Sequence, residues 1–351
     1  PSMSRWITLA TLLLCYSAAA QTAAERSPRY TGQPLMRVFT ERETGGTARN
    51  HAIAVHPTGL IYAANDVGLR EFDGATWRAV AGTERRMIFN VTIDATGRVF
   101  YCGPQHFGLL APSANGTLTA QPLHLQLPAA ERELGDIREI VTLGTDVYFN
   151  LGLRRAIARV DAQGGVHLIL LPAVAHSFAA WAGSVYAATA HGVFRLEGDS
   201  PVLDPAPPLG LSTQSRGRSA GAWPRAEGGA WLLARDGLRI WDHGETRPVS
   251  DEIARLLDAD TVVSGCPIGD GTFALGTRTH GLLIVGPDGR VLARYGEETG
   301  LGPGSDYVEG LTMDGDGGLW VAHDGGVTRV EVRHPGALHG PPSGLRSRQV
   351  F

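Results

Sequence analysis

Apolar and polar residues alternate along this chain in short runs with a period of two, and nearly every run ends at glycine, asparagine or aspartate. His51 to His56 alternates as a strand, Pro57 to Gly59 turns, and Leu60 to Asn65 runs back. Asp66 to Gly68 then turns into Leu69 to Phe72, and Asp73 with Gly74 turns into Trp77 to Val80. Four strands joined by tight turns make one propeller blade. The core phrase of this unit (glycine, apolar, aromatic, small residues, polar turn, glycine, apolar) occurs seven times. Its aromatic falls at Tyr62, Phe100, Tyr148, Tyr186, Trp231, Phe273 and Trp320, a spacing of 38 to 48 residues. The pattern predicts an all-β fold, a seven-bladed β-propeller of four-stranded antiparallel blades.

The side chains within the unit agree. Blades crowd near the axis, so the innermost strand needs small residues, and Ala52 with Ala54, Ala179 with Ala180, Ala220 to Ala222, Ser264 with Gly265, and Gly310 supply them. The seven aromatics belong in the wider gaps between blades, as core and not as ligand contacts. Leu35 to Phe39 precedes the first unit and can give the last blade its outer strand, which removes the exposed sheet edges. Helix is expected only as short turns around Ala129 to Leu134 and Glu252 to Leu257.

Composition adds the setting. The 351 residues include 46 glycines and 21 prolines, 43% are apolar, and the formal charge is -4. Such a chain fills a sizeable core and offers no polycationic surface, so nucleic acid is not an expected partner. Met3 to Arg5 followed by the apolar run Trp6 to Tyr16, with Ala18 to Ala20 as a small-x-small cleavage pattern, reads as an export signal; a retained anchor is the alternative. The expected organisation is a signal peptide over 1–20, a leader over 21–32, the propeller over 33–335, and a tail over 336–351 that reads like the start of a further repeat. Cys102 and Cys266 sit in different units, outside any metal or redox spacing, and are expected to be buried small apolar residues. No metal or cofactor is expected. The Asn-x-Thr triplets at Asn90 and Asn115 are short enough to arise by chance.

Several segments resemble a known family. Pro34 to Thr40, Gly59 to Asn65, Gly68 to Gly74, Trp77, Asp314 to Trp320 and Gly325 to Arg329 are similar to two-component regulator propeller repeats, a likeness running over 33–350 and strongest in the first and seventh units. The resemblance implies the periplasmic ligand-sensing part of a hybrid histidine kinase, a diguanylate cyclase or a related receptor. The full-length protein would then be a homodimer anchored in the inner membrane, with a cytoplasmic output domain absent from these residues. Kinase, phosphoacceptor and cyclase motifs are not present in this sequence.

Candidate chemistry lies on one face. Loops between second and third strands share that face with the loops entering each blade, where propellers commonly meet ligands. Those turns carry Asn65 and Asp66, Gln105 and His106, Arg154 and Arg155, His191, Arg235 and Asp236, Arg278 and His280, and His323 and Asp324. Asn50, His51, Arg138, Glu139, His176, Arg218 and Glu309 approach from the entering loops, and Tyr307 is the exposed aromatic suited to sugar stacking. Arginine forks and imidazoles suit a polar small molecule or an oligosaccharide, an anionic glycan fragment included. The plainer reading is that turn residues on a solvated face are polar in any case. An enzyme (lyase, hydrolase or lactonase) with His106 or His280 as base is the alternative, although no Ser/His/Asp order, HExxH or carboxylate pair is identifiable by motif. A protein-interaction propeller is the third reading, which a large exposed apolar patch would favour.

Overall fold

Seven separate four-stranded antiparallel sheets account for nearly all the regular structure, an arrangement seen in a computed structural model of the chain. It describes residues 33–350 apart from 115, 206–220, 226–227, 235–236, 243, 258–261, 333–336 and 340–348. The expected signal peptide and leader, Asn115, Arg218, Ala220, Arg235 and Asp236, and most of the tail lie outside the described residues. The chain divides into two units: 35–335 is the propeller, and the other combines 1–34 with 336–351. Within that second unit the described residues form three short antiparallel strands, Gln33–Pro34, Ala337–His339 and Gln349–Val350, with Ala337–His339 in the middle.

The first blade is Asn50–Val55, Ile61–Asn65, Gly68–Phe72 and Trp77–Ala79, the expected strands to within a residue or two. The inner strands of the other blades are Asn90–Ile93, Ile140–Leu143, Ala175–Trp181, Ala222–Pro224, Val262–Gly269 and Val308–Met313. They lie side by side around the axis. At the seam between the last blade and the first, a β-carbon on Gly310 would come within 2.9 Å of the Ala52 Cα, so glycine is required there. Met36–Phe39 is the outer strand of the seventh blade: Met36 pairs with Val330 and Phe39 with Val327. The two helical turns also form, as a 3₁₀ turn over Ala129–Glu131 and an α-helix over Asp251–Leu257.

All seven repeat aromatics are buried between sheets. At the closing seam Phe39 stacks on Trp320 at 5.7 Å and lies 5.0 Å from Phe72 and 5.7 Å from Trp77. Cys102 is buried as expected. Cys266 is only partly buried, because it stands on an inner strand whose neighbouring residues are themselves partly exposed.

On the opposite end from the candidate face, aspartates clamp the hairpins. Asp314 Oδ1 accepts from the backbone of Asp316 (3.0 Å) and Gly318 (2.7 Å), while Oδ2 accepts from Trp320 Nε1 (3.0 Å) and Arg329 Nε (2.7 Å). Asp94 does the same with Thr96 and Arg98. Burial works to raise both carboxyls, but these donors outweigh it and hold each below its usual range. Asp314→Asn would turn an amide N–H against two donors, so the urea midpoint is expected to fall by the equivalent of about 2 kcal/mol. An unchanged midpoint would show that the clamp contributes nothing.

Candidate functional site

Antiparallel register places the start of each inner strand beside the turn between second and third strands. Asn50 pairs with Asn65 and Val308 with His323, so in blades one and seven the entering loop and this turn share one end of the sheet. Arg49, His51, Asp66, Tyr307, Glu309 and Asp324 therefore meet across the closing seam, although some 260 residues separate the two groups.

Glu309 is the centre of this network, its side chain fully buried. Arg49 Nε donates to Glu309 Oε1 at 2.8 Å, and His51 Nδ1 lies 3.3 Å from Oε2. His51, itself buried, sets its Nε2 2.7 Å from Asp66 Oδ1. The imidazole thus bridges a buried carboxylate and a partly exposed one. It meets Phe89 at a near-perpendicular angle with ring centres 5.5 Å apart, and the Phe89 ring carries the Arg138 guanidinium at 3.7 Å.

Asp324 completes the group differently. Its Oδ1 is buried and accepts no hydrogen bond; Arg49 Nε is 3.3 Å away but directs its N–H to Glu309. Burial pushes the Asp324 carboxyl above its usual range, the positive charge of Arg49 draws it back, and Glu309 pushes it up again. Beside it, the Tyr307 ring is half-buried, with Arg49 5.6 Å and Arg278 5.5 Å from its centre. Tyr307 is therefore no open stacking plate. It is dressed by two guanidinium groups.

The other candidates are placed elsewhere. Asn65 and His323 are fully buried and turned into their blades. Asn65 donates to the carbonyls of Thr47 and Arg49 and accepts from Val67 N, and His323 accepts from Gly325 N and meets Thr328 Oγ1 at 3.0 Å. Each is the last residue of a second strand, where the side chain faces the sheet interior and ties its own turn. Gln105 also clamps, accepting from the backbone of Leu134 and Gly135. Arg154 pairs with Glu131 and donates to the carbonyls of Glu133 and Ala130, holding the neighbouring 3₁₀ turn. His106 is buried near His124 and Tyr101 in the second blade, its Nδ1 bound to the Pro104 carbonyl and its pKa lowered by burial. His191 is exposed on blade four, and His280 is half-buried against Thr279 on blade six. Arg235 lies outside the described residues. Of the predicted set, His51, Asp66, Tyr307 and Arg278 come together, with Glu309 and Asp324 from the same loops.

Arg49 was missed by sequence reasoning. The signal was available in the repeat: Arg49 precedes its inner strand by the same step as Tyr307, just as His51 corresponds to Glu309 and Asp66 to Asp324.

No protein-family model matches the chain, and no curated protein matches it. Solved structures do. The likeness is one of fold. The extracellular domain assigned to the hybrid two component system BT4673 from B. thetaiotaomicron superposes with a TM-score of 0.65 at 13% identity, covering 89% of this chain and 41% of that one. The corresponding domain of BT3049 from the same organism gives 0.63 at 14%, over 88% and 43%. This chain thus spans about two fifths of the length of those neighbours. A streptogramin B lyase gives 0.59 at 13% identity, over 84% and 96%. Among the described residues no helix is long and apolar enough to cross a membrane.

Proposed function

We propose that this chain is the extracytoplasmic ligand-sensing propeller of a transmembrane signalling receptor of the two-component type, and that its ligand binds at the mouth formed by blades six, seven and one. The observation that carries the reading is the concentration there of charged groups that are partly open to solvent, Arg49, Asp66, Arg278 and Asp324, on a scaffold fixed by buried Glu309 and His51. The export-type leader and the likeness to extracellular domains of two-component systems support the setting. In such a receptor a ligand that prefers one arrangement of paired subunits shifts the equilibrium between arrangements. A thermal-shift screen against acidic and neutral oligosaccharides and small polar metabolites is expected to raise the melting temperature with at least one compound, and Arg49→Ala is expected to abolish that rise. A ligand whose stabilisation survives Arg49→Ala would place its site elsewhere.

A second reading has its own observation. Asp66, His51 and Glu309 form a carboxylate–imidazole–carboxylate relay with the solvent-facing carboxylate at one end, and Asp324 beside it has its carboxyl pushed above its usual range by burial. An imidazole set between carboxylates, with a further carboxyl beside it, is a geometry that acid–base hydrolysis or elimination uses. Product accumulating during incubation with a ligand from the screen, and lost in Asp66→Asn, would favour an enzyme over a sensor.

A further inference from the structure

We infer that the mouth recognises a zwitterion of the amino-acid type, its ammonium group held by Asp324 and Asp66 and its carboxylate by Arg278. The inference rests on the mouth being the ligand site, and goes beyond that reading by naming the chemistry of the ligand.

Two complementary groups stand beside one tyrosine. Arg278 is exposed on the turn of blade six, with its guanidinium over the Tyr307 ring at 5.5 Å, and among the described residues no carboxylate pairs with it. A planar fork pre-oriented on an aromatic face and free of a partner is suited to a carboxylate. Asp324 is tied to Tyr307 through its backbone, Asp324 N donating to Tyr307 O at 3.3 Å; its Oδ1 lies 3.3 Å from Arg49 Nε but accepts no hydrogen bond from a described residue. Its side chain is 36% exposed, so a donor arriving from solvent can reach it. Asp66 is the second partly exposed carboxylate of the network, with Oδ1 on His51.

Charge accounting separates the two halves. Arg49 directs its N–H to Glu309, and His51 lies between Glu309 and Asp66. Of the groups partly open to solvent, Arg278 is therefore the cation without a carboxylate partner among the described residues, and Asp324 and Asp66 are the carboxylates, with Arg49 shared between Glu309 and Asp324. A purely anionic ligand would leave Asp324 without a donor and bring a like charge toward it. A neutral sugar would leave Arg278 without an anion. A molecule with an ammonium at one end and a carboxylate at the other satisfies both.

The test is calorimetric titration of the full chain with a ruler of ω-amino acids from glycine to 6-aminohexanoate, alongside their N-acetyl and C-amide forms and neutral and acidic oligosaccharides. One length is expected to bind best. Acetylating its amine or amidating its carboxylate should each weaken it about tenfold or more, as should Asp324→Asn and Arg278→Gln. Equal binding of the N-acetyl form, or zwitterion binding untouched by both substitutions, overturns the inference. Oligosaccharide binding without zwitterion binding overturns it and leaves the mouth as a ligand site; binding of neither removes both.

Discussion

Acidifying the protein from about pH 6.5 to about pH 4 is expected to cost roughly 3 kcal/mol of stability at a single residue, His323. Burial lowers this imidazole's pKa to about 4, against a smaller upward pull from the Pro303 carbonyl. The ring is locked as neutral: Gly325 N donates to Nδ1 at 3.1 Å, so Nε2 carries the proton toward Thr328 Oγ1, which donates in turn to the Leu301 carbonyl at 2.6 Å. A second proton on Nδ1 would face the Gly325 N–H. Because the folded pKa lies below the unfolded one, the unfolded chain binds the extra proton first. The contribution is complete above about pH 6.5 and lost as the pH falls through 4. His106 and His124, also lowered by burial, act in the same direction, so the measurement must be a difference. His323→Asn installs the residue that holds the equivalent position in blade one, Asn65. Urea denaturation of the two proteins across this range should give curves that converge as the pH drops. Parallel curves would mean that His323 does not titrate on folding.

Phe39→Ala is expected to destabilise the propeller by about 3 to 5 kcal/mol. Phe39 is 2% exposed and touches Phe72, Trp77 and Trp320 at once, so truncation opens a cavity between the last blade and the first. It also sits on the strand that completes blade seven, so the loss falls where the ring closes. Denaturant unfolding of Phe39→Ala beside Phe89→Ala, a buried ring against His51 outside this aromatic cluster, checks the claim. If the seam has no special role, the two should lose similar amounts.

The blades were legible in the sequence because the information that makes them is local. Alternation of period two, a glycine at each tight turn and one aromatic per unit determine strands, faces and core without knowledge of the partner sheet, and even the closing strand Met36–Phe39 could be assigned from its alternation and its place before the first unit. The mouth was legible residue by residue but not as a network. That Glu309 would stand against both Arg49 and His51 depends on ring closure, which brings together positions with no sequence proximity. The misplacement of Asn65 and His323 has a narrower cause. Thr189 and Thr277 occupy the same final position of their second strands, and their hydroxyls donate to the carbonyls of Gly192 and Gly281 within their own turns. In these four blades a polar residue at that position ties its own turn, and the side chain one step later, Asp66 or Asp324, is the one delivered to solvent. Aligning the units by register, and not by turn composition, would have separated the two roles.

Circularity sets a timetable for synthesis. Met36–Phe39 leaves the ribosome long before Gly326–Val330, the strand it must join, and at ordinary elongation rates the wait is on the order of tens of seconds. Until then the nascent chain carries one unmatched apolar segment at its front and no finished seventh sheet, a state in which the half-built ring can recruit the wrong edge from a neighbouring chain.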